Sequence, residues 1–219
     1  MTEFLNAGPI DALTRIVLAH GAGAAMTSPF LEKMTVLLTE RGLQVSRFEF
    51  DYMAARRSEG KRRPPPRAER LMPEYLRAVE QLRAQGADRQ RLLIGGKSMG
   101  GRVASLVADE LFAARLIDGL ICLGYPFHPP AKPDNLRTAH LQALRCPALI
   151  IQGERDPFGT RAEVEGYRLS DTIELQWAGD GDHDLGPRGG SGFTRAANLA
   201  LAADAIAAFA GSIGAPSRG

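Results

Sequence analysis

The chain has 219 residues, of which 44% are hydrophobic and 24% are charged, a composition ordinary for one globular domain with a sizeable core. Its formal net charge of +2 excludes a strong overall attraction to nucleic acid or to membranes. No apolar run approaches the ~18 residues that span a bilayer. The first residues, with Glu3 and Asp11, lack the basic and apolar pattern of a signal peptide. Two cysteines, Cys122 and Cys146, favour buried thiols in a reducing compartment, so we expect a cytoplasmic protein.

Short apolar runs alternate along the chain with longer amphipathic stretches. In chain order, the patterns predict strand 14–19, helix 29–41, strand 43–50, loop 51–67, helix 68–85, strand 91–95, helix 99–114, strand 117–124, helix 136–144, strand 147–153, short helix 161–169, strand 172–177 and helix 196–209. Residues 211–219 have the composition of a frayed end, and we expect them to be disordered.

This alternation predicts βαβ units, and hence a parallel sheet of about six strands covered by helices on both faces. No repeat or linker divides the chain, so residues 1–219 are expected to form a single α/β domain. Ligands of an open parallel sheet bind outside the carboxyl ends of its strands. The segments that directly follow each predicted strand therefore contain the candidate functional residues.

The strongest of these segments follows strand 91–95 and contains Ser98 in a G-x-S-x-G pattern, directly before a predicted helix. A tight strand-to-helix turn in this context exposes a nucleophilic serine. Two phosphate-binding alternatives fail on their glycines. A P-loop needs glycine where Arg91 stands, and a dinucleotide fingerprint after His20 needs glycine where Met26 stands.

Two further segments supply an acid and a base. Asp156 follows strand 147–153, and His183 follows strand 172–177. A serine needs a histidine to remove its proton, and a carboxylate that orients the histidine. The order Ser98, Asp156, His183 along the chain fits such a triad, with Glu154 as a near alternative to Asp156.

The turn after the first predicted strand, which contains His20, Gly21 and Ala22, is expected to border the serine. Its backbone N–H at Ala22, with that of Met99, is the predicted oxyanion hole. His20 and Gly21 are also assigned to substrate binding, although His20 could instead only shape the turn.

Two segments are candidates for substrate recognition. The basic, proline-rich loop predicts that Arg62 and Arg63 bind a carboxylate or phosphate, against the simpler interpretation of a solvated loop. The segment 125–130 predicts an apolar wall that includes Phe127 and His128, against the alternative of a rigid turn.

Taken together, the motifs LAHGAGA, RFEFDYM, KRRPPP, GGKSMGGR, LGYPFHPP, QGERDPFG and GDHDL are far more specific than the serine turn alone. Through them, the chain resembles the α/β-hydrolase superfamily over roughly residues 14–199, with a dienelactone-hydrolase-like character. Within the superfamily it resembles the small testis-expressed hydrolase-like proteins, their bacterial relatives, and the hydrolase-like domain of a histone-acetyltransferase complex subunit. The resemblance implies a minimal three-layer α/β-hydrolase fold with the triad Ser98, Asp156 and His183.

Many relatives insert a helical lid after the strand that corresponds to 117–124, whereas here only a short segment follows it. We therefore expect no large lid and an open, shallow site. The expected function is hydrolysis of a small carboxylic ester or a related acyl compound through an acyl-enzyme, without metal or other cofactor. An anionic substrate is the further hypothesis that the basic loop supports. The alternatives are a non-catalytic interaction module, which some eukaryotic relatives exemplify, and acyl transfer by the same triad. We expect no partner in nucleic acid or in a membrane.

Overall fold

Six parallel strands form the body of one sheet, and a seventh runs antiparallel at its edge. The structure is a computed structural model that describes residues 1–60, 64–86 and 90–214. Its strands are β1 (Phe4–Ala7), β2 (Thr14–Ala19), β3 (Gln44–Phe48), β4 (Arg91–Lys97), β5 (Gly119–Leu123), β6 (Ala148–Gly153) and β7 (Ile173–Ala178). Their order across the sheet is β1-β3-β2-β4-β5-β6-β7, and only β1 is antiparallel to its neighbour. The predicted parallel sheet is thus confirmed, with one strand more than expected.

Helices cover both faces of this sheet. They are α1 (Pro29–Thr39), α2 (Asp51–Glu59), α3 (Ala68–Ala84), α4 (Met99–Ala113), α5 (Arg161–Val164) and α6 (Arg195–Ser212), with a 3₁₀ helix at Ala139–Ala143. The apolar sides of α1 and α6 form one buried cluster with the sheet, and those of α3 and α4 form the other. A parallel sheet must be buried on both faces, which explains why the inner strands β5 and β6 are almost continuously apolar. The three-layer arrangement expected from the sequence is therefore confirmed.

Helix α2 contradicts the prediction that residues 51–67 form a loop. Phe50 and Met53 are buried against the core, so the segment is held by packing despite its basic composition. Gly60 ends the helix in the left-handed conformation, with φ of 70°, and donates its N–H to Arg56 O at 3.1 Å. Residues 64–67 form neither helix nor strand, and Arg67 at the end of this proline-rich stretch has an extended backbone, with φ of −63° and ψ of 146°.

The predicted helix 136–144 is also wrong, because only a short 3₁₀ turn forms there. The carbonyl of Leu144 accepts hydrogen bonds from Ser170 Oγ at 2.7 Å and Thr172 Oγ1 at 2.8 Å. These hydroxyls satisfy the end of the turn without a longer helix. Strand β1 escaped prediction because its four residues carry no period-2 pattern of their own and are stabilised by pairing with β3.

A single buried tyrosine joins the two strands at the centre of the sheet. The Tyr75 hydroxyl accepts a hydrogen bond from Gly95 N–H at 2.9 Å and lies 2.6 Å from Gly95 O and 3.1 Å from Val17 O. Val17 belongs to β2 and Gly95 to β4. Helix α3, which carries Tyr75, is thereby tied to the strand that leads into Ser98.

We expect Tyr75→Phe to lower the free energy of unfolding by about 1–3 kcal/mol, because buried backbone groups lose their partner. The matched control is Tyr167→Phe, since the Tyr167 hydroxyl makes no hydrogen bond with another described residue. Urea unfolding monitored by circular dichroism measures both variants. Equal losses in the two would contradict this role for Tyr75.

Candidate active site

The loops that carry the candidate residues lie at the carboxyl ends of neighbouring strands. Ala22 follows β2, Ser98 follows β4, Asp156 follows β6, and His183 follows β7. Since these strands are parallel, their carboxyl ends meet along one edge of the sheet. Side chains separated by up to 161 positions in sequence are therefore brought to one rim.

Ser98 occupies a strained backbone conformation between β4 and α4. Its φ of 53° and ψ of −114° are unfavourable for any residue with a Cβ. Hydrogen bonds from Ser98 N–H to Leu123 O at 2.9 Å, and from Arg102 N–H to Ser98 O at 3.0 Å, hold the turn on both sides. The turn aims the hydroxyl away from the sheet, into the cleft described below.

The turn requires glycine at two positions because the end of β2 lies directly against it. A methyl group on Gly100 would lie 2.5 Å from Ala19 O and 2.6 Å from His20 O, and one on Gly96 would also meet Ala19 O. These neighbours are backbone atoms and cannot rotate away. The two outer glycines of the G-x-S-x-G pattern thus allow close contact between the turn and β2.

His183 and Asp156 form a hydrogen-bonded pair with a distance of 2.8 Å between His183 Nδ1 and Asp156 Oδ2. Asp156 is fully buried and also accepts hydrogen bonds from Phe158 N–H at 2.8 Å and Gln152 Nε2 at 3.0 Å. The alternative carboxylate, Glu154, instead contacts Arg161 Nη1 at 3.0 Å and Asp180 N–H at 2.8 Å. The geometry thus favours Asp156 over Glu154 as the partner of His183.

Gln152 is a positioning residue that the sequence did not single out. It lies on β6, is fully buried, and binds Tyr125 O and Gly159 O in addition to Asp156. Its amide oxygen accepts a hydrogen bond from Tyr125 N–H at 2.8 Å. The side chain therefore fixes the loop after β5 and the acid after β6 at the same time.

Two acids of the loop that carries His183 hold its backbone in place through hydrogen bonds. Asp182 Oδ1 accepts hydrogen bonds from Asp184 N–H at 2.9 Å and Gly186 N–H at 2.8 Å. Asp180 binds Arg188, whose side chain and backbone N–H lower the pKa of that carboxyl to about 2. The acids around His183 thus shape the loop.

Lys97, the residue before Ser98, is buried beneath the same loop. Its Nζ donates a hydrogen bond to His183 O at 2.7 Å and lies 3.2 Å from Asp184 Oδ1. Burial lowers the pKa of Lys97, while the charges of Asp184 and Asp156 oppose that shift. Lys97, which occupies the first variable position of the G-x-S-x-G motif, therefore holds the backbone of His183, the candidate base.

No hydrogen bond of 3.5 Å or less joins the Ser98 hydroxyl to His183 in this structure. The imidazole is packed 4.4 Å, centroid to centroid, from the ring of Phe158, which lines the same cleft as Ser98. Contacts of this kind are often loose without substrate and shorten in the reacting complex.

The loop after β2, which contains the predicted oxyanion donor Ala22, lies directly beside Ser98. A methyl group on Gly21 would lie 3.8 Å from Ser98 Cβ, so this loop borders the serine. Tyr52 Oη donates a hydrogen bond to Ala22 O at 3.0 Å and fixes the loop. Met99 N–H lies in the first turn of α4, where backbone N–H groups have no partner within the helix. The assignment of Ala22 and Met99 remains a prediction.

His20 does not contact the cleft, which corrects its assignment to substrate binding. Its ring is fully buried; Nδ1 donates to Gly21 O at 2.6 Å, and Nε2 accepts from Phe50 N–H at 3.2 Å. These partners require the neutral Nδ1–H tautomer. Burial lowers the pKa of His20 to about 4. The ring lies beneath the loop after β2, in contact with the rings of Phe50 and Tyr52.

A cleft of about 650 Å³ opens beside Ser98. Its wall consists of Ala22, Pro65, Pro66, Arg67, Ala68, Glu69, Ser98, Met99, Arg102, Pro126, Asn135, Arg137 and Phe158. Phe127 and His128 were assigned to this wall by the sequence, and the structure corrects both. Phe127 packs between Tyr125 and Tyr167, and His128 is 2% exposed beside Glu163. Pro126 and Phe158 supply the apolar surface instead.

The predicted anion-binding residues Arg62 and Arg63 lie outside the described residues. Three other arginines line the cleft, namely Arg67, Arg102 and Arg137. Arg102 lies near the start of α4, four residues after Ser98, and this closeness in sequence to the candidate nucleophile could have been used to find it. Arg137 has no comparable signal in the sequence.

Within the described ranges, no group of three or more His, Cys, Asp or Glu side chains is arranged to hold a metal ion. None of the described helices is long and apolar enough to cross a membrane.

We expect the free energy of unfolding to fall as the pH falls from about 6.5 towards 4. In this range His20 binds a proton in the unfolded chain, whereas in the folded protein it stays neutral because it is buried. The loss between pH 7 and pH 5 is on the order of 2 kcal/mol for this one group. His140, whose pKa burial also lowers to about 4, adds a similar loss. Urea unfolding at both pH values measures it, and His20→Asn is expected to have a shallower pH dependence. An unchanged slope in that variant would count against the argument.

Residues 12–211 of the chain match the family described as the alpha/beta hydrolase domain. Among solved structures, a dienelactone hydrolase from Anabaena variabilis is 19% identical with a TM-score of 0.71, and the match covers 93% of this chain and 89% of that one. An α/β serine hydrolase from Xanthomonas campestris, described as lacking a lid, is 15% identical with a TM-score of 0.68 and covers 100% of this chain and 91% of its own. Est1E from Butyrivibrio proteoclasticus, solved with ferulic acid, is 15% identical with a TM-score of 0.69, with coverage of 97% and 95%.

These similar structures share the fold, and the expected absence of a large lid holds for the described part of this chain, where only the short 3₁₀ helix lies between β5 and β6. Because the family match spans nearly the whole chain, the protein belongs to the α/β-hydrolase domain family.

Proposed function

We propose that the protein is a serine hydrolase that cleaves a small carboxylic ester, or a related acyl compound, through an acyl-enzyme. The observation that carries this proposal is the strained backbone of Ser98, held at the rim where His183 and Asp156 are paired. Such strain costs about 1–3 kcal/mol, and an interaction module would have no use for it. The resemblance to a dienelactone hydrolase and to serine hydrolases supports the same activity.

The reaction starts with attack of Ser98 Oγ on the substrate carbonyl carbon. His183 Nε2 accepts the hydroxyl proton, while Nδ1–H donates to Asp156, whose charge stabilises the imidazolium. The carbonyl oxygen becomes an oxyanion and accepts hydrogen bonds from the N–H groups of Ala22 and Met99. The imidazolium then protonates the leaving alcohol, and the acyl group stays on Ser98.

Hydrolysis of the acyl-enzyme repeats these steps with water. His183 removes a proton from water, which attacks the acyl carbon, and Ser98 leaves with the proton returned from His183. The carboxylic acid is released and the starting state is restored. The two buried, unpaired cysteines fit a protein of the reducing cytoplasm, where we place it.

A fluorophosphonate probe is expected to label Ser98, because such probes react with an activated serine without needing the substrate. Intact-mass and peptide mass spectrometry locate the adduct. Ser98→Ala should abolish labelling, and Asp156→Asn should lower kcat by about 10⁴-fold, since the imidazole loses its orienting partner. The matched control, Ser105→Ala, replaces a buried serine on the same helix and should keep the label. A folded wild-type protein that takes no label would overturn the proposal and favour the interaction module.

Lys97→Met is expected to slow labelling and to lower kcat by about 10- to 100-fold with little change in KM, because the backbone of His183 loses its anchor. Methionine keeps most of the volume of the lysine stem. Lys33→Met removes an exposed lysine on α1 and serves as the control for net charge. If Lys97→Met and Lys33→Met react alike, Lys97 does not position the base.

A further inference from the structure

The cleft beside Ser98 contains more positive than negative charge. Three arginines, Arg67, Arg102 and Arg137, line it together with one carboxylate, Glu69. This is an excess of two positive charges in a chain whose whole formal net charge is +2. This excess of positive charge beside Ser98 favours the binding of a negatively charged ligand.

Glu69 forms an ion pair with one of these arginines, Arg102. Its Oε1 lies 2.6 Å from Arg102 Nη2, and the Glu69 side chain stands in the first turn of α3. Its own backbone N–H, and next the charge of Arg102, hold the pKa of Glu69 below its ordinary value. The Nε of Arg102 is buried without a hydrogen-bond partner, so this pairing leaves part of the guanidinium unused.

Among the described residues, Arg137 has no counter-ion within ion-pair distance, although it is more buried than Arg67. Within the described ranges its guanidinium makes no ion pair or hydrogen bond, although the residue is half-buried. Its backbone is fixed, because Arg137 N–H donates to Phe127 O at 2.7 Å and Arg137 O accepts from Tyr125 Oη at 2.9 Å. Burial, and next the charge of Arg102, lower the pKa of Arg137. A partly desolvated charge without a partner is unfavourable, and an incoming anion relieves it.

The position of the cleft indicates which part of a substrate would reach these arginines. Ser98 and both predicted oxyanion donors, Ala22 and Met99, lie in its wall, whereas His183 does not. A leaving alcohol must lie beside His183 to receive its proton. The portion that occupies the cleft is therefore the acyl group.

We propose that Arg137, assisted by Arg102, binds an anionic group on the acyl portion of the substrate, which makes the substrate class an ester of an acid with a second carboxylate or a phosphate. This inference rests on the proposed serine hydrolase function. A guanidinium pairs with either oxyanion through two parallel hydrogen bonds, which gives both affinity and orientation. The anion is of the same class as the one that the sequence analysis assigned to Arg62 and Arg63, whose own part stays a prediction.

The test compares 4-nitrophenyl hemiglutarate with 4-nitrophenyl valerate, which has the same chain length and no carboxylate. Wild-type protein should prefer the hemiglutarate in kcat/KM. Arg137→Gln should reduce that preference by about 10- to 100-fold, the size of a lost charge-assisted hydrogen bond. Arg145→Gln, at a 74% exposed arginine outside the cleft, removes the same charge and should leave the preference unchanged. A wild-type enzyme that treats both esters alike would overturn the inference while the proposed function stands.

Calorimetric titration separates the anion site from catalysis. Glutarate and inorganic phosphate are titrated into wild-type protein and into Arg137→Gln. The anion with the lower Kd for wild-type protein is the one that the site prefers. Binding that is lost in Arg137→Gln, in a protein whose Ser98 takes no fluorophosphonate label, would support the anion site and overturn the hydrolase. If Ser98 is labelled but the protein neither binds an anion nor prefers the hemiglutarate, the hydrolase is supported and the anion site is overturned.

Discussion

The backbone of β2 lies directly against the turn between β4 and α4, and this contact holds Ser98 at its positive φ. The turn lies so close to Ala19 that no side chain fits between them, which is why glycine occupies positions 96 and 100. Tyr75 ties β2 to β4 one layer below, so that the two strands cannot slide apart. The loop that contains Ala22 begins where β2 ends, and its distance from Ser98 is therefore set by the same contact.

A second network fixes the candidate base independently of the serine. Gln152 and Phe158 hold the carboxylate of Asp156, and Lys97 holds the carbonyl of His183. Lys97 is also the last residue of β4, so the loop of His183 is attached to the strand that leads into Ser98. The preorganisation of the pair thus comes from buried polar groups whose hydrogen bonds are satisfied within the protein.

The sequence predicted the elements whose signal is local. The apolar strands, the glycine pattern around Ser98 and the order of Asp156 and His183 could all be recognised without coordinates. Contacts between distant segments could not. The burial of His20 and Phe127 depends on what packs over them, and Arg137 reaches the cleft only because Tyr125 and Phe127 anchor its backbone. The helix at Asp51–Glu59 was missed because its basic residues mask the packing of Met53.

The short connection between β5 and β6 has a kinetic consequence. Among the described residues only a short 3₁₀ helix lies between β5 and β6, so no helical lid at this place would have to open before a substrate enters or a product leaves. For the proposed hydrolysis, turnover would then be governed by chemistry and by free diffusion, and arginines that attract the proposed anionic substrate would raise the rate of encounter. The rate should accordingly fall with rising ionic strength more steeply than in an enzyme that encloses its substrate.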